Sequence, residues 1–243
     1  MVLFLLACLV SFLPFIALFL WFRNHIKREA AFQKLCDKAL LWGFFCVIPV
    51  VLLSGISHLV LSLTGVKNTN PLLYDALYKF IVLALAEEVV KYLMFRRVLH
   101  KTDVPYSWLD ATVLMTIVGI GFGWIESVTY AFGATIPVVL VRGICVPHAG
   151  YGFLIGYFYD KGVKTGKSVE KWIGFALAWL LHGLYDFSLS ERFLALNDNL
   201  AFVPFLLALL DIILVILLIV FVQKAKKRER YTEPLFRKEG LTA

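Results

Sequence analysis

Charge is scarce in this sequence. Of 243 residues, 17% are charged and 60% are hydrophobic, and the mean hydropathy is +0.82. Soluble domains carry about 25% charged and about 45–50% apolar residues, so a water-soluble enzyme of this size lacks the polar side chains to cover its surface. The same numbers exclude a disordered chain and leave a polytopic membrane protein. Cysteine is sparse too: Cys8, Cys36, Cys46 and Cys145 form no CxxC pair and no metal-ligand spacing, which excludes a disulfide scaffold and a zinc finger. Leu5-Leu6-Ala7-Cys8 lacks a positive region before it, so the first apolar segment reads as an uncleaved anchor. Internal repeats and long hydrophilic connections are missing as well. The expected organisation is a single transmembrane helical domain over 1–223, then a basic cytoplasmic tail over 224–243.

What the chain does have is apolar length. Stretches of about 20 residues cross a hydrocarbon core of about 30 Å, and about seven are present: 2–22, 40–63, 73–95, 108–132, 136–159, 171–190 and 201–223. The predicted fold class is all-α, a polytopic transmembrane helix bundle. The excess of 24 Lys+Arg over 17 Asp+Glu gives +7, and these charges lie between spans rather than on one soluble face, which argues against nucleic acid as a partner. Arg23, Lys27, Arg28, Lys34 and Lys38 follow the first span, Arg96, Arg97 and Lys101 the third, and Lys161, Lys164, Lys167 and Lys171 the fifth. The tail adds Lys224, Lys226, Lys227, Arg228, Arg230, Arg237 and Lys238. Positive loops stay cytoplasmic, which puts the N-terminus outside and the tail inside a multi-pass cell-membrane protein. The basic loops and tail are expected to contact anionic lipid headgroups.

Ionisable residues inside the spans are where function is sought. Glu87, Glu88 and Lys91 stand in FIVLALAEEVVKYLMF, and each costs about 2.5–3.5 kcal/mol at a helix centre facing lipid. With about 100° between successive residues, all three fit one face. An i,i+4 pair of Glu87 with Lys91 explains one carboxylate and leaves the second for chemistry. On the fourth span, the glycines of Gly119-Ile-Gly-Phe-Gly-Trp-Ile-Glu126 permit close helix packing. A tight hairpin near residue 134 would bring Glu126 level with Arg142, as an ion pair or as part of a site. His148 heads a stripe with Gly152 and Gly156, and His182 with Asp186 at i,i+4 places a carboxylate beside an imidazole. Counted from the span ends at about 1.5 Å per residue, Glu87, His148 and His182 share one mid-membrane depth, with Glu126 somewhat shallower. Asp211 is expected to make an interhelical hydrogen bond, and Asp110, near the inner interface, to meet water.

Glu87-Glu88-x-x-Lys91, Phe122-x-x-x-Glu126, His148-x-x-x-Gly152 and His182-x-x-x-Asp186, in that order on four successive spans over about 73–190, resemble the PrsW family of intramembrane proteases. That family is distantly similar to the CAAX prenyl protease and bacteriocin-processing superfamily. The prenyl-protease branch has Arg after the glutamates, His where Glu126 stands and Asn or a similar residue where Asp186 stands, and the present sequence follows the PrsW pattern at all three. The resemblance implies cleavage of single-span, membrane-tethered proteins of the anti-sigma-factor kind, as a first cut.

The residues suit that chemistry, since peptide hydrolysis needs an activated water, a proton donor for the leaving amine and stabilisation of the oxyanion. Glu87 and Glu88 are the expected general base, assisted by Glu126 or His148, with His182 as donor oriented by Asp186; Lys91 and Arg142 are supporting residues. No HExxH is present. Zinc held by His148, His182 and Glu88 is chemically reasonable, while the surrounding carboxylates favour a metal-free site. Two other classes fit the same buried groups: a proton-coupled transporter, and a non-catalytic immunity or assembly protein on a protease-like scaffold.

Overall fold

The computed structural model describes residues 2–25, 30–100, 106–107, 109–131, 143–227 and 234–236. In chain order the helices are α1 (Val2–His25), α2 (Ala30–Phe45), α3 (Val47–Leu63), α4 (Val66–Thr69), α5 (Pro71–Leu77), a π-helix (Tyr78–Leu85) and α6 (Ala86–His100). They continue as α7 (Asp110–Ala131), α8 (Pro147–Thr165), α9 (Ser168–Ser188), α10 (Glu191–Leu194), a 3₁₀ turn (Asp198–Ala201) and α11 (Phe202–Lys227). The one ladder among the described residues is β1 (Tyr106–Ser107) antiparallel to β2 (Pro234–Phe236). Helix α11 runs through Lys227, four residues into the stretch read as tail.

Three described helical stretches are long and apolar enough to cross a membrane, Ala30–Leu63, Asp110–Tyr130 and Asp198–Ala225, with Ser11–Asn24 a shorter apolar one. Their outward faces are greasy. Ile48, Val51, Leu52 and Ile56 on α3, with Phe202 and Phe205 on α11, are all exposed, an arrangement that lipid tolerates and water does not.

Helix α7 is the axis of the molecule: every residue from Asp110 to Gly123 is buried, and α1, α2, α6 and α8 pack around it. Small residues set the approach. A Cβ on Gly121 would strike the Leu40 carbonyl of α2, and one on Gly43 the Val118 carbonyl of α7. On the other side of α7, a Cβ on Gly152 or Gly156 of α8 would meet the backbone at Met115, or at Ala111 and Thr112. The N-terminal end of α7 is pinned by Asp160 of α8, whose Oδ2 accepts from the Thr112 amide at 2.8 Å and from the Thr112 hydroxyl. This carboxylate caps the N-terminus of α7 from a neighbouring helix, where free amides need acceptors and the dipole favours a negative charge. Asp110, expected to meet water, is fully buried.

Two local departures from plain helix position the site. The fifth apolar stretch, 136–159 by hydropathy, is not one helix: α8 begins only at Pro147 and runs on to Thr165. Val146 breaks the chain in the left-handed region, φ 43° and ψ 50°, a conformation that costs a β-branched residue about 1–3 kcal/mol. Pro147 follows at N1, where its missing N–H is no loss. Upstream of α6, the π-helix has an identifiable partner: the Phe80 carbonyl accepts from the Trp179 indole of α9 at 2.7 Å, and Gly183 of α9 leaves room only for the Phe80 ring. The widened turn ends at Leu85, two residues before Glu87, as π-bulges often do at functional sites.

Candidate active site

Glu87, Glu88 and Lys91 enter the bundle from the first turns of α6, His148 from the start of α8, His182 and Asp186 from α9, and Glu126 from the far end of α7. All are buried except Glu126, whose side chain is 14% exposed. The structure thus brings together every sequence-named candidate that it describes; Arg142 lies outside the described residues.

Glu88 and Lys91 form the hub. Lys91 Nζ lies 2.6 Å from Glu88 Oε1 and 2.9 Å from His148 Nδ1, and it rests 4.7 Å from the centre of the Phe122 ring. The i,i+4 pair of Glu87 with Lys91 is therefore replaced by an i,i+3 pair with Glu88. Both spacings are open to a helix; His148 and His182, closing on Glu88 and Lys91 from other helices, decide between them. His182 Nδ1 donates to the same Glu88 Oε1 at 2.8 Å. Its Nε2 faces Glu87 Oε2 at 3.5 Å and Asp186 Oδ2 at 3.9 Å, so Glu88, rather than the i,i+4 Asp186, holds the imidazole. His148 Nε2 lies 2.6 Å from Glu126 Oε2. With an ammonium on Nδ1, the His148 proton belongs on Nε2, where it is donated to Glu126.

Burial of this many ionisable groups in one apolar bundle is costly unless each is paired, and most are. The exceptions are informative: Glu87 Oε2 and Glu88 Oε2 are buried without a hydrogen-bond partner. Glu87, His148 and His182 each offer one ligand atom, all within 4.8 Å of one another. This is the donor type and compactness of a three-ligand zinc site with an open position. The acidic member is Glu87, where the sequence alone had suggested Glu88. Glu88, whose Oε1 accepts from both Lys91 and His182, holds His182 by the nitrogen opposite the cluster, the usual place for a carboxylate supporting a metal-bound histidine.

Aromatic rings seal the site. Phe122 meets His148 edge-on at 4.9 Å, and the two imidazoles stand perpendicular, 5.0 Å apart. Tyr151, absent from the sequence-based set, lies nearly parallel over His182 at 5.1 Å and 20°. Its hydroxyl donates to Asp211 of α11 at 3.3 Å, which is the interhelical bond expected for Asp211. A signal for Tyr151 existed: it follows His148 at i+3 and so shares its helix face. Gly119 and Gly123 of α7 fit this corner, since a Cβ on Gly119 would strike the His148 carbonyl and one on Gly123 would stand 3.1 Å from the His148 ring.

The model of the PrsW family, described as intramembrane metalloproteases, matches residues 33–222. Among curated proteins, Protease PrsW of Oceanobacillus iheyensis is 30% identical over 124 residues, 48% of this chain and 57% of that one. Protease PrsW of Geobacillus kaustophilus is 25% identical over 183 residues, 74% and 77% of the two chains. That of Shouchella clausii is 25% identical over 230 residues, 92% and 97%. The chain thus spans just over half of the first relative and most of the other two. No solved structure matches it. The family match covers all four motifs and the helices that carry them, and the chain belongs to the PrsW family of intramembrane proteases.

Proposed function

We propose that this chain hydrolyses a peptide bond in single-span, membrane-tethered proteins, of the anti-sigma-factor kind that the family resemblance implies, and that it does so with a metal ion. The observation that carries the reading is the buried cluster of Glu87, His148 and His182, backed by Glu88, Lys91 and Glu126. The family's description as metalloproteases points the same way. The fit is chemical: one carboxylate and two imidazoles, with Glu87 Oε2 left unbonded inside an apolar shell. His182 would offer Nε2, because its Nδ1–H is held by Glu88; His148 would offer Nε2 only on releasing the proton it shares with Glu126 and taking one at Nδ1 from Lys91, so that binding the ion would release a proton. A zinc ion bound there supplies Lewis acidity and an acidified water. This reading takes precedence over the metal-free site favoured by counting carboxylates alone.

The protein's own groups do the rest. Glu88 fixes the ring of His182 through Nδ1–H, and Lys91 balances the charge of Glu88. Glu126 is the least buried carboxylate of the cluster, and exchange of its bond to His148 Nε2 leaves its oxygen to take the proton of the attacking water and return it to the leaving amine. Asp186, 3.9 Å from His182 Nε2, stands beside the same ring nitrogen. The Phe122 and Tyr151 rings keep bulk water out, which strengthens each of these interactions.

The same reading places the chain in the cell membrane as a multi-pass protein of about seven spans, N-terminus outside and basic tail cytoplasmic, with anionic headgroups against its basic loops. Reporter fusions at the tail and at the 66–70 connection test the orientation. The decisive experiment incubates the purified full chain in detergent with a panel of single-span membrane proteins. Wild type should cut at a defined bond, Glu87→Gln and His182→Ala should not, and a chelator should stop cleavage until zinc is restored. Cleavage indifferent to chelator removes the metal from the proposal. A folded wild type that cuts no member of the panel, yet drives proton-dependent uptake in proteoliposomes, replaces the protease with a transporter.

A further inference from the structure

His182 is held in its ring plane by hydrogen bonds, but these leave the tilt of the ring free. The group that fixes the tilt is Tyr151, stacked at 5.1 Å and 20° over the imidazole and 5.8 Å edge-on from His148. Tyr151 is 1% exposed, so its hydroxyl needs a buried partner. That partner is Asp211 Oδ2, 3.3 Å away on α11. Asp211 is 3% exposed and sits alone among the apolar residues of LLALLDIILVILLIV. An acid in such a segment is costly to insert and is accounted for when it serves a site. The Tyr151 backbone is also constrained: the neighbouring Gly150 and Gly152 of α8 pack on Leu214 of α11 and on Met115 and Thr116 of α7. The ring therefore enters the site from a fixed base.

We infer that Tyr151 is a positioning residue for His182 and that Asp211, from the last helix, acts on the site through the Tyr151 hydroxyl. The inference rests on the proteolytic reading of the site. It gives α11 a role in the reaction although none of its side chains belongs to the motif set, and it separates two functions of one tyrosine. The ring sets the tilt of His182, and the hydroxyl, tied to Asp211, keeps the ring in place.

The test uses the purified full chain and whichever single-span protein of the panel wild type cuts fastest. Tyr151→Leu removes ring and hydroxyl; kcat should fall about 10- to 100-fold, the range for groups that orient metal-binding histidines, with KM unchanged because Tyr151 does not touch substrate. Tyr151→Phe keeps the ring and should retain most of the activity. Asp211→Leu should lose at least as much as Tyr151→Phe, and the double variant no more than Asp211→Leu alone, since both remove the Tyr151–Asp211 hydrogen bond. A readout independent of turnover is the proton NMR signal of the His182 ring, assigned by its loss in His182→Ala. The stacked phenol shields it, so it should move downfield in Tyr151→Leu and stay near its wild-type position in Tyr151→Phe. If Tyr151→Leu fails to fold, the Tyr151→Phe and Asp211→Leu cycle still decides the coupling. Multiplying losses in that cycle, a rise in KM at constant kcat, or an unmoved His182 signal overturns the inference. Absence of cleavage by wild type would instead count against the protease reading, and the NMR comparison would still test the stack.

Discussion

Glu88 and His182 share a hydrogen bond of 2.8 Å between carboxylate Oε1 and imidazole Nδ1, and that same oxygen takes the Lys91 ammonium at 2.6 Å. One buried atom therefore balances a lysine and orients a histidine. Glu87, the preceding residue, likewise has a buried Oε2 without a hydrogen-bond partner, but it, and not Glu88, forms the compact donor group with His148 and His182. In the proposed site the adjacent glutamates therefore differ, Glu88 pairing with Lys91 and His182 and Glu87 standing in the donor cluster.

That contrast predicts different phenotypes. Glu88→Gln leaves Lys91, 1% exposed, without its counter-charge, and breaking a buried pair costs about 3–5 kcal/mol. Its thermal midpoint in detergent should fall sharply along with its activity. Replacing both partners, Glu88→Gln with Lys91→Met, should recover much of the midpoint and none of the activity. Glu87→Gln should be inactive with a near wild-type midpoint. An equally unstable Glu87→Gln would show that the two carboxylates are interchangeable.

Glu126 holds His148 by Nε2 and is the cluster's most accessible acid. Glu126→Ala should reduce kcat/KM by about 10- to 100-fold, as loss of a group supporting a histidine does, or by more if it also moves the proton. Glu126→Asp, which shortens the reach but keeps the carboxylate, should fall between. Unchanged cleavage in Glu126→Ala would restrict the chemistry to α6, α8 and α9.

Much of this site was legible in the sequence, because burying charge in lipid is so costly that each ionisable residue in a span advertises a reason. Order and depth alone grouped Glu87, Glu88, His148 and His182. Pairing was not legible: a helix offers Lys91 both Glu87 and Glu88, and only packing against His148 and His182 selects Glu88. Hydropathy ran straight through Val146, since an apolar residue in the left-handed region is as apolar as any other. The Val-Pro step there was the available warning, because the residue before proline avoids the helical region. The π-helix had no local signal, and the side chain that bonds its Phe80 carbonyl, Trp179, is 99 residues away.

Packing around α7 predicts which glycines matter. Gly119→Ala would push a methyl into the His148 carbonyl. Overpacking of this kind costs about 1–3 kcal/mol, and here it also displaces a site residue, so midpoint and activity should fall together. Gly55→Ala on α3 meets nothing within 4 Å. It should be neutral or gain about 0.5–1 kcal/mol of helix preference, with wild-type cleavage.

Asp160 separates stability from chemistry. Its carboxylate caps α7 at Thr112, twelve residues along α8 from His148 and thus about 18 Å from it. Asp160→Ala removes a helix cap, a loss of about 0.5–2 kcal/mol. The thermal midpoint should drop while kcat measured well below it stays close to wild type. A selective fall in kcat would mean that the α7–α8 register, and with it the spacing of Glu126 and His148, depends on this one contact.

At the end of α6, beyond the third span, His100 Nε2 accepts from Arg96 at 2.8 Å. The ring is largely exposed, and its partial desolvation, with the Arg96 charge second, holds its pKa below the ordinary 6.5. A depressed histidine pKa means that the folded chain binds the proton less readily than the unfolded one, so the contribution is present above pH 6.5 and is lost as pH falls through the folded pKa. The NMR titration of His100 should therefore have its midpoint below 6.5. Arg96→Ala should raise that midpoint only part of the way, because partial desolvation is the larger cause. A midpoint at or above 6.5 in wild type would mean that the Arg96–His100 bond is not held in solution.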